Sequence, residues 1–274
     1  MFAESDVQGS GTAAEGGILI LSGRSISKGR AEGKALVLRE PLSFLGGVEP
    51  STGELRVEKE GNISGRILVF PRGKGSTVGS FVMYDLKVRG NAPAAVVNSS
   101  AETIVATGAV ISSIPMVDSV DIRLIMDGDD VAVDADAGTV EIRNAKMIEC
   151  VSSVIITNGK ILMLKRPDTA RSHPGKWSLC SGKIEKGETP EQAAVREIKE
   201  ETQMTVGSPD RSLPPLFVRE KDIIWKVYPF LFRTETCDPI LNHENLEYRM
   251  VTYEEMLELD LVERTPEMVS ELLR

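Results

Sequence analysis

The 274-residue chain is poor in the side chains that most often build metal centres: it has two histidines and three cysteines, and only 5% of its residues are aromatic. Two histidines, His173 and His243, are too few for a histidine-rich metal site. Cys150, Cys180 and Cys237 lie far apart, are odd in number and form no C-x-x-C pair, which excludes a disulfide framework and a self-contained zinc or iron–sulfur site. Unpaired thiols suit a reducing compartment, so a cytoplasmic location is expected. Positive charge is also in deficit, with 32 Lys and Arg against 41 Asp and Glu and a net charge of -9. Nucleic acid and anionic membranes, which bind through a basic excess, are therefore not expected partners. No apolar run approaches the ~20 residues that cross a bilayer. The opening "MFAESDVQGSGTAAEGG" carries acidic residues where a signal peptide carries basic ones, and residues 1–17 are expected as a flexible tail.

What is present is enough apolar residue, 41%, with 27% charged residue, for two ordinary domains with buried cores. Over residues 18–143 the runs "KALVLRE", "GRILVFP", "APAAVVN" and "SIPMVDS" read as strands between glycine turns. Val78, Phe81, Val82 and Leu86 recur at helical spacing with Gly90 as the stop, and a second helix is predicted over 101–111. Strand and helix alternation implies a part-parallel sheet. "DDVAVDADAGTVEI" then reads as a hairpin turning at Asp136, Ala137 and Gly138. The acidic run Asp127 to Asp130 lacks the ligand spacing of a calcium loop and is read as a hairpin-end turn. A linker is expected at 144–149 and a second domain at 150–274, giving an α+β or α/β chain of two domains.

In the second domain, "GKIEKGETPEQAAVREIKEETQM" begins at Gly182. Thr189 is placed to cap a helix, Pro190 to open it and Gln192 to complete a capping box. At 100° per residue Glu197, Glu200 and Glu201 share one face while Ala194, Val195 and Ile198 turn inward. Such a face is either a solvated acidic surface or, with crowded carboxylates neutralised, an oxygen-only site for Mg²⁺ or Mn²⁺. The stretch resembles the Nudix box at Gly182, Glu188, Arg196, Glu197, Ile198, Glu200, Glu201 and Met204, with Gln203 where the pattern has glycine.

That resemblance implies a Nudix α/β/α sandwich that hydrolyses a nucleoside diphosphate linked to another moiety. It assigns Glu197, Glu200 and Glu201 as metal ligands, and Gly182, Glu188 and Arg196 as structural supports. Glu244, in "LNHENLEY", is the candidate base from a late loop. Trp177 is open to two roles, stacking on a base or packing in the core. "WSLCSGKIEKGE" also resembles the cysteine loop of a Nudix-fold diphosphate isomerase, an alternative that the shortage of histidine weighs against.

The first domain resembles another family. "GRSISKGRAEGKALV", "EPLSFLGGVEPSTGEL", "GRILVFPRGKGSTVGSFVMYDL", "GNAPAAVVN" and "ATGAVISSIPMVD", in this order and spacing, resemble the small subunit of the aconitase X family over about Gly23 to Asp118. The resemblance implies a swivelling β/β/α domain that closes over an iron–sulfur cluster held by a larger subunit. The implied reaction is dehydration of (R)-5-phosphomevalonate to trans-anhydromevalonate 5-phosphate, or of a hydroxyproline-like hydroxyacid. It assigns Ser76 as proton acceptor, and a helix N-cap is the alternative or concurrent role for that serine. Arg72 and Lys74 either bind the substrate's phosphate or carboxylate, with Gly73 and Gly75 letting the backbone approach, or form a solvated basic turn. Arg24 and Ser25 receive no role. A regulatory fusion, in which the Nudix half senses a diphosphate, stands as the non-catalytic alternative.

Overall fold

The runs "ILVF" (Ile67–Phe70) and "AVVN" (Ala95–Asn98) are buried at every position. A strand with no exposed side suits a parallel sheet covered on both faces. The computed structural model, which describes residues 11–13 and 18–274, places both there. The chain divides into two units, Met1–Met147 with Arg219–Ile224, and Ile148–Val218 with Trp225–Arg274.

The first unit contains β1 (Gly11–Ala13), β2 (Leu19–Ser22), β3 (Arg24–Ser27), β4 (Arg30–Val37), a kinked turn α1 (Phe44–Gly47), β5 (Ile67–Phe70), α2 (Gly79–Val88), β6 (Ala95–Asn98), α3 (Thr103–Ile111), β7 (Met116–Asp118), β8 (Asp130–Asp134) and β9 (Thr139–Ile142). The strands run in the order β1-β2-β9-β8-β4-β5-β6-β7-β3. β4 is shared: Arg30 to Lys34 pair antiparallel with β8, and Ala35 to Val37 pair parallel with β5. Helices α2 and α3 cover one face of the parallel strands, where Met83, Leu86, Val105 and Ala109 join Leu68, Phe70, Val96 and Met116 in one core.

Three expectations change here. Of the tail expected over 1–17, residues 11–13 form β1, with Thr12 opposite Ile20, and the rest lies outside the described residues. The helical spacing groups Val78 and Phe81 with Leu86, but the buried face of α2 is Gly79, Ser80, Met83 and Leu86, and Val78 and Phe81 are exposed. The second helix begins at Thr103, not Ala101, because Glu102 caps it with a carboxylate that accepts the Ile104 and Val105 N–H groups. The acidic run is absorbed locally: Asp127 accepts the Val37 N–H and the Lys59 ammonium, and Asp130 pairs with Lys34.

The rest of the chain forms β10 (Lys146–Thr157), β11 (Lys160–Lys165), β12 (Trp177–Ser178), β13 (Cys180–Lys183), α4 (Pro190–Thr202), β14 (Arg211–Ser212), β15 (Leu216–Glu220), β16 (Ile223–Arg233), β17 (Glu247–Val251), α5 (Tyr253–Leu257) and α6 (Thr265–Leu273), all in the second unit except the first two residues of β10, the last two of β15 and the first two of β16. Residues 146–149, read as linker in the sequence, are the opening residues of β10. Side chains alternate across the sheet as the period of two requires. Val151, Ile155 and Leu162 face α4, while Val154, Ile161 and Met163 face α6, so helices cover the sheet on both sides.

Candidate functional site

Ser76 lies in the loop that follows the carboxyl end of β5, the end of a parallel sheet where ligands usually bind. The loop is fixed at its root. Leu42 donates to the Arg72 carbonyl at 3.1 Å and receives the Lys74 N–H at 3.0 Å, so residues 72–74 are held on a neighbouring segment. Asn98, at the end of β6 and fully buried, donates from Nδ2 to the Phe70 carbonyl at 2.6 Å. Pro71 accepts the Ser99 and Ser100 N–H groups.

The glycines in the loop have distinct causes. A Cβ on Gly73 would overlap the Glu102 carboxylate that caps α3, whereas Gly75 has φ +100° and faces Ser43 Oγ. The first is close approach and the second is backbone conformation. Ser76 itself is not the helix N-cap, which is Val78. Its Oγ accepts the Val78 N–H at 3.3 Å in the turn that leads into α2, and its carbonyl accepts the Gly79 N–H.

Residues 74–78 are exposed as a continuous run, as is Arg72. Among the described residues neither the Arg72 guanidinium nor the Lys74 ammonium has an ion-pair or hydrogen-bond partner, whereas Arg24, Arg30, Lys34, Arg56, Lys59 and Arg89 in the same unit are paired. Two unneutralised cations beside a serine hydroxyl are suited to binding an anion. Arg24, without a role in the sequence, donates from Nε and Nη2 to both oxygens of Asp118 at 2.9 and 2.6 Å. Asp118, 1% exposed, also accepts the Ala101 N–H, so it ties the ends of β3 and β7 to the start of the α3 segment.

The carboxylate helix α4 has the predicted capping box: Thr189 Oγ1 accepts the Gln192 N–H and the Gln192 side chain accepts the Thr189 N–H. Arg196 organises its surroundings. It is bidentate to Glu188 at 2.9 and 3.0 Å, donates to the Lys183 carbonyl at 2.9 Å, and reaches Glu197 at 2.8 Å and Glu200 at 3.2 Å. The Arg196 hydrogen bonds hold the Glu188 carboxyl below the usual carboxylate range. Gly182 leaves room for Glu197, because a Cβ there would overlap the Glu197 carboxylate. Gln203 adopts the left-handed conformation, φ 57°, that the pattern reserves for glycine, at a cost of about 1 kcal/mol. The chain thus makes the turn without displacing the carboxylates.

Glu201 is 4% exposed and accepts from Asn245 Nδ2 at 3.3 Å. Burial, followed by the charges of Glu197 and Glu244, pushes its pKa up to about 7. Burial likewise raises Glu197, to which Glu200 and Glu244 add against the opposing Arg196. Glu244 is therefore brought within electrostatic reach of two helix carboxylates, and it is exposed in its loop. Asn245, missed in the sequence, adjoins it in the "HEN" run.

Among the described residues no group of three or more His, Cys, Asp and Glu side chains is gathered closely enough to hold a metal ion as placed. Arg196 holds Glu197 and Glu200, while Asn245 holds Glu201. The donor chemistry nevertheless fits a hard divalent cation: oxygen-only groups, two of them with the pKa raised in part by neighbouring carboxylates. Because the folded value for Glu201 exceeds its ordinary 4.5, the unfolded chain releases that proton first, and metal-free stability falls as pH rises from about 4.5 towards 7. Glu201→Gln is expected to remove most of that fall, leaving the metal-free variant more stable than the parent at pH 8 but not at pH 5, as read by thermal melting.

Trp177 is core. It is 5% exposed, and Arg249 and Lys165 lie over its ring at 4.7 and 5.8 Å, so it offers no open face to a base. Cys180, in the stretch that resembles a cysteine loop, is 2% exposed, and burial raises its thiol well above its ordinary range. The same cause raises Cys150 to about 12.

The first unit is a mixed sheet with a polar loop at the carboxyl end of its parallel strands, and the second is a carboxylate-helix sandwich. Residues 20–142 match the aconitase X swivel domain family and residues 149–272 the NUDIX domain family. The phosphomevalonate dehydratase small subunit of Thermococcus kodakarensis is 58% identical over 126 residues, 44% of this chain and 95% of that protein. The holo-form crystal structure of Thermococcus kodakaraensis aconitase X is 57% identical over 45% of this chain and 97% of that chain, with a TM-score of 0.44. The MutT protein of Methanosarcina mazei Go1 is 26% identical over 47% of this chain and 95% of that chain, with a TM-score of 0.42. The chain belongs to the aconitase X small-subunit family and carries a NUDIX domain as its second half. Both halves are parts of enzymes. Small-subunit kinship implies a large-subunit partner, and NUDIX domains generally use divalent metals. No helix among the described residues is long and apolar enough to cross a membrane.

Proposed function

We propose that the first half is the small subunit of a phosphomevalonate dehydratase, converting (R)-5-phosphomevalonate to trans-anhydromevalonate 5-phosphate. The observation that carries this reading is the exposed Ser76 loop with its two unpaired cations at the carboxyl end of β5. Ser76 Oγ takes the proton from the carbon next to the substrate carboxylate, and the hydroxyl on the adjacent carbon leaves as the double bond forms. Backbone N–H groups at the start of α2, with Arg72 and Lys74, favour the serine alkoxide and bind the phosphate or carboxylate.

Residues 18–143 contain no cysteine and do not fit an iron–sulfur cluster, so a cluster, which would supply Lewis-acid assistance to dehydration, is assigned to the large subunit of a heterodimer. In the second half, Glu197, Glu200 and Glu201 would hold Mg²⁺ or Mn²⁺, which supplies charge neutralisation to a diphosphate. Glu244 serves as the base that activates water, while Glu188 and Arg196 fix the helix against the glycine loop. The first domain is taken as 18–143 and the second as 150–274, and the free thiols suit a cytoplasmic enzyme. The deciding experiment is anaerobic dehydration of phosphomevalonate by the iron–sulfur large subunit with and without this chain. Activity that appears only with the chain is expected. An intact complex that leaves phosphomevalonate untouched but dehydrates hydroxyproline would move the assignment to that substrate.

A further inference from the structure

Helix α2 is apolar on two sides, and only one of them is used. Met83 and Leu86 are fully buried against the parallel sheet. Val78, Phe81, Tyr84 and Val88 are 47, 68, 50 and 66% exposed. At 3.6 residues per turn these four fall within an arc of about 120° along the outer side of the helix, shared with one charged residue, Asp85. Leu45 of α1, 47% exposed, belongs to the element that packs beside α2. A helix in a monomeric domain normally turns polar residues outward, and an apolar row of this length marks an interaction surface.

We propose that this stripe is the docking surface for the iron–sulfur large subunit, an inference that rests on the dehydratase reading above. Its position identifies the occupant. The stripe begins at Val78, two residues after Ser76, in the same exposed run that carries Lys74. Val78 and Phe81 are the first exposed apolar residues after Ser76 along the chain, which sets this end of the row beside the surface that delivers a substrate to Ser76 Oγ. A second copy of this chain on the same row would close Ser76 against a domain with no cluster ligand.

The charges agree with this occupant. Arg72 and Lys74 stand unpaired at the Ser76 end, and Lys87 is exposed at the other, in a chain whose net charge is -9. Asp85, the acidic residue of the helix, is neutralised by Arg89 at 2.8 Å. The face therefore presents an apolar row with a basic rim, which fits a partner surface that is apolar at its centre and acidic at its edge.

The test uses the full chain and the large subunit of the dehydratase, with affinity measured by titration calorimetry. Phe81→Asp with Val88→Lys is chosen because an acid in the first turn and a base in the last suit the helix dipole, leaving α2 intact. The double variant is expected to bind at least about 100-fold more weakly than the parent with an unchanged melting temperature. Phe81→Ser alone, a smaller change, is expected to weaken binding about tenfold. Leu257→Lys, which alters an exposed apolar residue of α5, is expected to bind as the parent does. Parental affinity in the double variant, or equal weakening by Leu257→Lys, overturns the assignment of the surface. A chain that dimerises alone and becomes monomeric in the double variant overturns the choice of occupant. Failure of the parent itself to bind the large subunit overturns the dehydratase reading instead.

Discussion

Dehydration by a complex carrying Ser76→Ala is expected to fall by about 10²- to 10⁴-fold, the range that a positioned proton acceptor contributes. The complex is expected to form with parental affinity, because the Ser76 side chain makes one weak contact, to the Val78 N–H at 3.3 Å. Folding is also expected to survive, since the turn is held by backbone bonds: the Ser76 carbonyl accepts the Gly79 N–H, and Leu42 secures Arg72 and Lys74. Turnover measured under anaerobic conditions checks the first expectation and calorimetry the second. An active Ser76→Ala complex would return the serine to a purely structural part in its turn. Loss of activity accompanied by loss of binding would place it at the subunit contact rather than in proton transfer.

The second large effect is expected in the other half. Glu200→Gln should lower metal-dependent hydrolysis of a nucleoside diphosphate substrate by more than about 100-fold, beyond what the loss of a supporting group usually costs. Dehydration and melting should be nearly unchanged. Glu200 is the most exposed of Glu197, Glu200 and Glu201, 56% in its side chain, and its bond to Arg196 at 3.2 Å is the longest that Arg196 makes. Little structure therefore depends on its charge. Hydrolysis that persists in the variant would remove Glu200 from the ligand set. A parent chain that binds Mn²⁺ and diphosphates but releases no product would favour a sensing role for this half.

Local patterns were legible where one element held the whole signal. The capping box, the shared face of Glu197, Glu200 and Glu201, and the stop at Gly90 each depend on residues within a few turns, and the helix period reports them. The burial of "ILVF" and "AVVN" follows from composition in the same way. What the sequence hid lies in pairs distant along the chain. Arg24 meets Asp118 across 94 positions, and Asn98 reaches back to Phe70 across 28. Asn245 finds Glu201 across 44. No periodicity encodes such contacts. Trp177 was ambiguous because its type tolerates both core and site, and the Arg249 guanidinium over its ring resolved the choice. The misplaced side of α2 has a different cause: with apolar residues on both sides of the helix, spacing cannot tell which side is covered.

The sharing of β4 has a mechanical consequence. Its first five residues are bonded to β8 and its last three to β5, with no break in the strand between them. Force or thermal disorder entering the antiparallel strands thus passes along one continuous backbone to the strand that carries the Ser76 loop. The swap of neighbours falls at Lys34 and Ala35, where the Ala35 N–H is held by the Asp129 carbonyl and its own carbonyl receives both the Gly128 N–H and the Arg66 guanidinium. Amide protons on both sides of that point should report one common free energy of opening in hydrogen exchange, as they would in a single melting unit. The reactive loop then inherits its rigidity from strands that never approach it.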